Sequence, residues 1–366
     1  MLKELSERSA VRLLEKLSKD VVKEYMSQCT LTPLTKGQKK DIQSYYKRMM
    51  GQSVSTLWHE YYYSRNGMFS VRYLPTSVYQ SQIVWCLNDY AYSQAYVDKG
   101  FYDVVFEGVN RPRTIVKNIN GHFYDEKKWI ERETAVELCR DIPRGVIKPT
   151  VGGMHGCDVR VLTMKDGMTD GGDSVAQLFS QYQKNFIIQD YVQQHEGMAQ
   201  LNPTSLNTIR VLTYRDGSSI YTMYAIARIG RMGGQIDNLT SGGIFADIDI
   251  QTGMIEKCAY GAPGENRIET TDCGTRLEGF RMPSFDRVLS LAKELHTRLP
   301  YFDLVGWDMA VDAQGEPLLI EWNRAPDIYS QTAHGPAFGD MTDELLARIR
   351  HLPNTRYTKC FRKLKK

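Results

Sequence analysis

Asp308, Glu321 and Asn323 place oxygen-bearing side chains in the most buried-looking segments of one stretch of the chain. The stretch is G-W-D-M-A-V-D-A-Q-G-E-P-L-L-I-E-W-N-R-A-P-D, residues 306–327. Apolar residues alternate on both sides of a Gln-Gly pair, and this pattern predicts a β-hairpin that turns at the pair. Acidic side chains inside such a hairpin need a chemical reason, because burying a charge without a partner is costly.

The predicted register brings the two carboxylates together. If Asp312 pairs with Pro317, Asp308 lies directly opposite Glu321, and Leu319 shares their face. Carboxylates ~5 Å apart at an effective dielectric of ~20 repel by roughly 3 kcal/mol, whereas a favourable cross-strand pair contributes only about 0.2–1 kcal/mol. A positive charge between them would remove this cost.

The chemistry of the three ligands indicates which cation would fit. Hard oxygen ligands without a nearby His or Cys favour Mg²⁺ or Mn²⁺ over zinc. The alternative is an exposed hairpin whose acids face water. The apolar Leu319 on the acids' face favours the metal site.

A second candidate site follows the segment G-V-I-K-P-T, where Lys148 precedes Gly152, Gly153 and Gly156. Glycines let backbone N–H groups approach phosphate oxygens, and a lysine supplies a positive charge. The spacing fits neither G-x-x-x-x-G-K-[ST] nor a G-x-G-x-x-G turn that opens a helix. A glycine-rich turn without a ligand is the alternative. Together with the hairpin, the lysine and the glycines indicate a nucleoside triphosphate bound with Mg²⁺.

Length and composition predict a soluble globular protein of two or three domains. The chain has 366 residues, of which 42% are hydrophobic and 24% charged. Its net charge of +3 is too small to predict nucleic acid as the main partner. There is no long apolar run, and the charged start is not that of a signal peptide. Seven scattered cysteines without a C-x-x-C pair predict reduced thiols in a cytoplasmic protein.

The order of the predicted elements is that of an α+β protein. Residues 1–100 look mainly helical, and no chemistry is evident in them. The segments F-Y-D-V-V-F-E-G, R-T-I-V-K-N-I-N-G-H-F-Y-D and N-F-I-I-Q-D-Y-V predict short strands, and two longer strands flank an Asp-Gly turn. Ser174 and Ser284 are expected to cap amphipathic helices.

This order resembles the ATP-grasp fold, with a lysine strand, a glycine loop, a helix, a hinge strand, an arginine strand and a carboxylate hairpin. The motifs L-N-P-T-S-L-N-T-I-R-V, A-R-I-G-R, I-D-N-L-T-S-G-G-I and V-G-W-D-M-A-V are similar, more narrowly, to the sugar-transfer-associated ATP-grasp branch, which is linked to cell-surface polysaccharide synthesis. The resemblance covers roughly residues 101–340. It implies two α+β subdomains that clasp ATP, preceded by a mainly helical region.

The resemblance also implies a division of the chain into four parts. These are a helical region at 1–100, a subdomain with the lysine strand and glycine-rich loop at 101–195, a subdomain with the metal-binding hairpin at 196–345, and a basic tail at 346–366. The basic residues of the tail are compatible with contact with the inner membrane surface or with a solvated segment. No oligomeric state follows from the sequence.

The resemblance assigns roles to the candidate residues. Lys148 would contact the phosphates, and Arg210 would contact the γ-phosphate or the reacting carboxylate. Asp308, Glu321 and Asn323 would be the ligands of Mg²⁺, or of Mn²⁺ in its place. The ATP-binding residues would be Lys148, Gly152, Gly153, Gly156, Gln189, Asp190, Tyr191, Val192 and Glu196. The acceptor would bind at Arg228, Asp237, Asn238, Ser241, Gly242 and Gly243.

The activity that the resemblance implies is an ATP-dependent carboxylate–amine ligase. Such an enzyme forms an amide through an acylphosphate, here on a cell-surface polysaccharide precursor or an amino acid. Its expected partner is a small molecule or glycan with carboxylate and amine groups. The two alternatives are an ATP-grasp kinase that phosphorylates a sugar hydroxyl and a nucleotide-binding scaffold without turnover.

Overall fold

The computed structural model describes residues 2–151, 159–234, 237 and 241–352, without the side chains of residues 2–12. The glycines of the predicted phosphate loop, Asn238 and the C-terminal basic segment lie outside these residues. The described part of the chain contains two antiparallel sheets and a set of helices, which confirms the α+β prediction.

The first sheet has seven strands in the order β3-β2-β1-β7-β4-β5-β6. All of its pairings are antiparallel, and β7 lies at its centre between β1 and β4. The strands are β1 Thr114–Ile119, β2 His122–Asp125, β3 Lys128–Ile130, β4 Ile142–Pro149, β5 Arg160–Lys165, β6 Met168–Thr169 and β7 Phe186–Asp190.

The second sheet has six strands in the order β11-β10-β9-β8-β12-β13, and its pairings are also antiparallel. The predicted hairpin therefore forms one edge of this sheet. The strands are β8 Thr208–Asp216, β9 Ser219–Ile229, β10 Ile244–Ile248, β11 Ile255–Tyr260, β12 Leu304–Val311 and β13 Pro317–Asn323.

The N-terminal region is mainly helical, as predicted. The α-helices are α1 Leu2–Ser27, α2 Lys36–Met50, α3 Leu57–Asn66, α4 Thr76–Val78, α5 Val84–Leu87, α6 Ser93–Val97, α7 Tyr102–Val105, α8 Arg132–Leu138, α9 Val175–Tyr182, α10 Glu196–Leu201, α11 Phe285–Thr297, α12 Gln331–His334 and α13 Thr342–His351. Tyr79–Ile83 forms a π-helical turn, and Tyr90–Tyr92, Lys99–Phe101 and Gly339–Met341 form short 3-10 helices.

Two of the local predictions are wrong. The segment F-Y-D-V-V-F-E-G contains α7 instead of a strand, because Tyr102 and Phe106 pack one turn apart into the core beneath the second sheet. Ser284 precedes α11 but does not cap it, since its φ of 51° is left-handed and its hydroxyl donates to the carbonyl of Gly315. Ser174 forms the predicted cap of α9 as part of a capping box.

The second sheet is covered on both faces. On β8, Leu212 and Tyr214 belong to a core cluster with the helices of the first 87 residues, whereas Ile209 and Val211 belong to a cluster with α11. Because side chains alternate along a strand, Arg210 lies on the same face as Leu212. The N-terminal helices thus cover part of the face that carries the predicted site.

The hairpin has the predicted alignment of its carboxylates but not the predicted turn. Asp308 pairs with Glu321, yet Val311, not Asp312, pairs with Pro317. A bulge at Ile320 reconciles the two pairings, because one strand then contributes an extra residue.

The bulge also corrects the predicted position of one apolar side chain. Leu319 pairs with Met309 and joins the cluster with α11, so it lies on the opposite face from Asp308. Directly paired residues share a face, and the extra residue at Ile320 reverses the alternation between Leu319 and Glu321.

Among the residues that the structure describes, no helix combines the length and apolar character needed to cross a membrane. Every cysteine within those residues is a free thiol.

Candidate active site

Arg210 and Asp308 form the centre of the site because β8 and β12 are neighbours. The register pairs the two residues directly. Nε of Arg210 lies 2.7 Å from Oδ1 of Asp308, and Nη2 lies 2.7 Å from Oδ2, so the pair is bidentate. A planar guanidinium matches a carboxylate in this way, which fixes the orientation of both side chains.

Arg228 on β9 adds a second guanidinium to the same carboxylate. Its Nη1 lies 3.1 Å from Oδ2 of Asp308, and its Nη2 lies 3.3 Å from Oδ1 of Asp237. The hydroxyl of Thr208 donates to the other oxygen of Asp237. Arg228 therefore links a residue of the predicted acceptor site to the predicted metal site.

These contacts determine the ionisation of the two acids. Asp308 is only 4% exposed, and burial by itself would raise its pKa. Arg210 and Arg228 outweigh burial and lower the pKa of Asp308 to about 2. Burial raises the pKa of Asp237, although Arg228 and Thr208 oppose that rise.

Glu321 and Asn323 lie beside Asp308, as the period-two pattern predicts. Nδ2 of Asn323 is 3.4 Å from Oδ2 of Asp308. Oε1 of Glu321 accepts a hydrogen bond from Nζ of Lys99 at 2.9 Å. The positive charge expected between the two carboxylates is thus supplied here by Lys99 on one side and by Arg210 on the other.

Lys148 belongs to the first sheet, where β4 places it opposite Ile187. Burial and, after it, the charge of Lys99 lower the pKa of Lys148 to about 8, against the opposing charge of Glu321. The carbonyl of Thr150, directly after the end of β4, accepts from the N–H of Lys99 at 3.0 Å. Because Nζ of Lys99 contacts Glu321, the end of β4 faces the hairpin of the second sheet. The two predicted sites, phosphate and metal, are therefore adjacent.

Lys99 is the functional residue that the sequence analysis missed. It lies in a 3-10 helix at the end of a region in which no chemistry was evident, 222 residues from Glu321 along the chain. The local segment D-K-G-F carries one detectable signal, an Asp-x-Gly pattern that caps a tight turn and presents the lysine between them.

Positive charge exceeds negative charge in the assembled site. Its cations are Arg210, Arg228, Lys99 and Lys148, and its acids are Asp308, Asp237 and Glu321. This excess favours a polyanionic ligand such as a triphosphate. A single metal ion without a phosphate ligand would enter a site that already carries a net positive charge.

The oxygen donors nevertheless fit a hard divalent cation. Within the described ranges there is no group of three His, Cys, Asp or Glu residues that could hold a metal, so Asn323 would be the third ligand. No described residue donates to Oε2 of Glu321 or Oδ1 of Asn323, and Oδ1 of Asp308 accepts only from Arg210. These three oxygens suit Mg²⁺, which keeps water or phosphate oxygens as its other ligands.

The predicted adenine hinge, Gln189–Val192, connects the two sheets. The carboxylate of Asp190 makes a bidentate pair with Arg113, at 2.7 and 3.0 Å. The guanidinium of Arg144 lies 3.6 Å above the ring of Tyr191. These side chains are engaged with protein groups, and the N–H groups of Asp190 and Tyr191 donate to the carbonyls of Arg113 and Arg144. A contact with adenine would therefore use other backbone groups of the hinge.

The remaining predicted residues are more peripheral. Glu196 is exposed at the first residue of α10. Ser241 and Gly242 are exposed, whereas Gly243 is buried beside β10. The guanidinium of Arg324, which follows Asn323, donates to Ser93 and lies 4.7 Å from the ring of Tyr90, so the N-terminal region holds it.

A family model described as sugar-transfer associated ATP-grasp matches residues 80–344 of the chain. This is well over half of the 366 residues. The chain belongs to the sugar-transfer associated ATP-grasp family. The match begins within the helical region and includes Lys99, whereas the resemblance was expected to begin near residue 101.

Solved structures similar to the chain include three ATP-dependent enzymes. The ATP-grasp ligase PsnB complexed with a minimal precursor is 15% identical, with a TM-score of 0.41, and the alignment covers 71% of this chain and 64% of PsnB. Biotin carboxylase from Campylobacter jejuni is 13% identical, with a TM-score of 0.43 and coverages of 71% and 48%. D-alanine–D-alanine ligase from Bacillus anthracis is 15% identical, with a TM-score of 0.39 and coverages of 70% and 69%. The chain thus spans less than two thirds of the first two.

No curated protein matches the chain by sequence.

Proposed function

We propose that this ATP-grasp protein is an ATP- and Mg²⁺-dependent carboxylate–amine ligase. The observation that carries the proposal is the pairing of every described acid in the site with a cation. Asp308 is held ionised by two arginines, and Lys99 holds Glu321. A substrate carboxylate is already anionic at neutral pH and needs no base, whereas a sugar hydroxyl must lose a proton. The site therefore favours a carboxylate as the phosphoryl acceptor.

In the first proposed step, a carboxylate oxygen of the substrate attacks the γ-phosphorus of ATP. The bond between the γ-phosphorus and the β,γ-bridging oxygen breaks, and ADP leaves with that electron pair. Arg210 and Arg228 would orient the carboxylate, because Asp308 fixes both guanidiniums in advance. Lys148 and Lys99 would offset charge on the phosphates.

Glu321, Asn323 and the free lone pair of Asp308 would hold Mg²⁺, which supplies further positive charge toward the phosphate oxygens. Among the protein groups, Arg210, Arg228 and Lys99 contact the acids of this site. Gly152, Gly153 and Gly156 would cover the phosphates, and the Gln189–Val192 backbone would hold the base.

In the second proposed step, the nitrogen of an amine attacks the acyl carbon. The bond from that carbon to the phosphate oxygen breaks, and the departing phosphate takes up the proton that the nitrogen loses as the amide forms. An acylphosphate hydrolyses in water, so the site must exclude solvent at this stage. Arg228, Asp237, Asn238 and the Ser241–Gly243 backbone are the groups that we assign to the acceptor.

We assign the substrate to one of two classes, a cell-surface polysaccharide precursor or an amino acid. The family's association with sugar transfer supports the first class. A carboxylate and an amine are required in either case, because one is activated and the other attacks.

The decisive experiment measures ADP release with candidate carboxylates and amines, singly and in pairs. A ligase should release ADP steadily only when both are present, and the product should contain a new amide. Hydroxylamine in place of the amine should trap the activated carboxylate as a hydroxamate, which can be measured by mass spectrometry.

The matched variants for this assay lie on one hairpin. Glu321→Gln should abolish ADP release, whereas Glu316→Gln, at an exposed acid of the turn paired with Arg287, should leave it unchanged. If a phosphate ester forms in the absence of an amine, and hydroxylamine traps no hydroxamate, the kinase alternative is correct. ATP binding without any turnover would favour the scaffold.

A further inference from the structure

Lys99 differs from the other cations of the site in how it is held. Its ammonium makes a single contact with the predicted metal ligands, at 2.9 Å from Oε1 of Glu321, and the carboxylate remains 33% exposed. Arg210, by comparison, holds Asp308 through two parallel hydrogen bonds in a nearly buried pair. A flexible lysine with one contact is far easier to displace than a bidentate arginine.

We propose that Lys99 takes the place of the divalent cation on Glu321 in the metal-free protein, and that metal binding displaces its side chain. The inference rests on the proposed function, because it requires a cation site at Asp308, Glu321 and Asn323. It adds that Lys99 competes with the free ion for Glu321 and at the same time attracts the anionic nucleotide.

The backbone of Lys99 is fixed, so displacement involves the side chain alone. Its N–H donates to the carbonyl of Thr150 at 3.0 Å, two residues beyond Lys148. The carboxylate of Asp98 accepts from the N–H of Gly100 at 2.8 Å. A Cβ on Gly100 would overlap Cδ1 of Ile119, which shows how closely this turn packs on β1.

A buried ion pair completes this anchor. Nζ of Lys117 donates to the carbonyl of Gly100 at 2.7 Å and to Oδ2 of Asp103 at 2.8 Å, with both side chains less than a tenth exposed. The 98–103 turn is therefore attached to the first sheet. From there the side chain of Lys99 reaches the second sheet, where the hydroxyl of Tyr102 also accepts from the N–H of Trp322.

This placement predicts opposite effects on two ligands. Free Mg²⁺ or Mn²⁺ must displace a positive charge and then bind beside it, so Lys99 weakens the binding of the ion by itself. ATP is a polyanion, so the same charge strengthens the binding of the nucleotide. The site therefore selects the ion together with ATP over the free ion.

The test measures Mn²⁺ binding by electron paramagnetic resonance without nucleotide, and metal-free ATP binding by calorimetry. In Lys99→Met, Mn²⁺ should bind about tenfold tighter, as expected when a unit charge is removed from beside a divalent ion, and ATP should bind several-fold more weakly. Lys99→Arg keeps the charge, so ATP binding should stay near wild type, and Mn²⁺ should bind no more tightly than in wild type because a guanidinium is harder to displace from Glu321. Lys128→Met, at an exposed lysine of β3, is the matched control and should change neither.

The outcomes separate this inference from the proposed function. If Glu321→Gln abolishes Mn²⁺ binding but Lys99→Met binds Mn²⁺ no more tightly than wild type, the metal site stands and the competition by Lys99 is refuted. If Glu321→Gln leaves Mn²⁺ binding unchanged, the metal site itself is wrong, and the inference falls with it. Circular dichroism and melting temperature of Lys99→Met that match those of wild type would exclude misfolding as the cause of the shifts.

Discussion

At the scale of single residues, the site depends on charges that compensate one another. Asp308 orients two guanidiniums, and these in turn keep it ionised, with a pKa of about 2. Such a carboxylate is a poor base and a good positioning group. Lys148 differs from these arginines because burial lowers its pKa to about 8, whereas a guanidinium stays protonated.

This difference predicts how ATP binding depends on pH. Because burial lowers the pKa of Lys148 to about 8, its charge is complete below that pH and is lost as pH rises through it. ATP affinity should therefore be constant from pH 6.5 to 7.5 and fall by up to about tenfold per pH unit above 8, the limit for one required proton. Calorimetry over this range measures the effect.

Lys148→Arg provides the control for that prediction. A guanidinium stays protonated throughout the range, so the variant should lose the alkaline weakening even if its affinity at pH 7 is lower. Identical pH profiles for the two proteins would assign the weakening to another group.

At the scale of elements, the hairpin positions the three oxygen ligands through a bulge and a glycine. The extra residue Ile320 allows Leu319 to enter the core while Glu321 stays opposite Asp308. Gly306 pairs with Asn323 and allows the chain that follows to pass close by. A Cβ at Gly306 would lie 2.6 Å from Cβ of Pro326, whose ring has no rotamer to escape into.

The same substitution should therefore have opposite effects at two glycines. Gly306→Ala should lower the free energy of unfolding by about 1–3 kcal/mol, the usual cost of overpacking. Gly37→Ala should raise it by about 0.5–1 kcal/mol, because α2 is helical there and the new Cβ approaches only the hydroxyl of Thr35, at 3.8 Å.

Urea denaturation of both variants measures these changes. Gly306→Ala should also weaken Mn²⁺ binding, since the displaced segment directly follows Asn323, whose Cβ would lie 3.6 Å from the new Cβ. If Gly306→Ala has the same free energy of unfolding as wild type, the segment after β13 can shift without a loss of stability, and the prediction is wrong.

At the scale of the whole molecule, the N-terminal helices are part of the core of the second sheet. The hydroxyls of Tyr61 and Tyr329, which are 268 residues apart in sequence, are hydrogen-bonded to each other. The side-chain amide of Asn88 donates to the backbone carbonyls of Leu304 and Arg324. Packing in the core of the molecule also buries titratable groups. Three histidines, His59, His296 and His334, are among them.

These histidines predict acid sensitivity of the fold. Burial lowers the pKa of His59 and His296 to about 4 and that of His334 to about 3. The unfolded chain takes up a proton at each near pH 6.5, whereas the folded protein does not until much lower pH. Stability is therefore complete above pH 6.5 and decreases as pH falls toward 4, by roughly 1 kcal/mol per histidine between pH 7.5 and 5.5.

Urea denaturation at these two pH values tests the prediction. His59→Gln should remove about a third of the pH-dependent loss that the three histidines cause, whatever its stability at pH 7.5. His351→Gln, at an exposed residue of α13, should change nothing. The same pH-dependent loss in wild type and His59→Gln would show that other groups cause it.

Short-range patterns in the sequence predict the hairpin and the faces of most of its residues. The predicted pairing of Asp308 with Glu321 is correct because the bulge at Ile320 offsets the one-residue error in the predicted turn. The motifs were enough to predict the ATP-grasp family. The face of the sheet on which Leu319 lies could not be predicted, because the alternating pattern in the sequence gives no sign of the extra residue of a bulge.

The cations that contact these acids could not be predicted from local sequence, because they depend on the tertiary fold. Arg210 and Asp308 are 98 residues apart, Arg228 and Asp308 are 80 apart, and Lys99 and Glu321 are 222 apart. Each contact depends on strand order and on the packing of the N-terminal region against both sheets, which no local pattern specifies. The charge of a site depends on the residues that the fold brings together. The lysine that contacts Glu321 therefore comes from a region in which the sequence showed no chemistry.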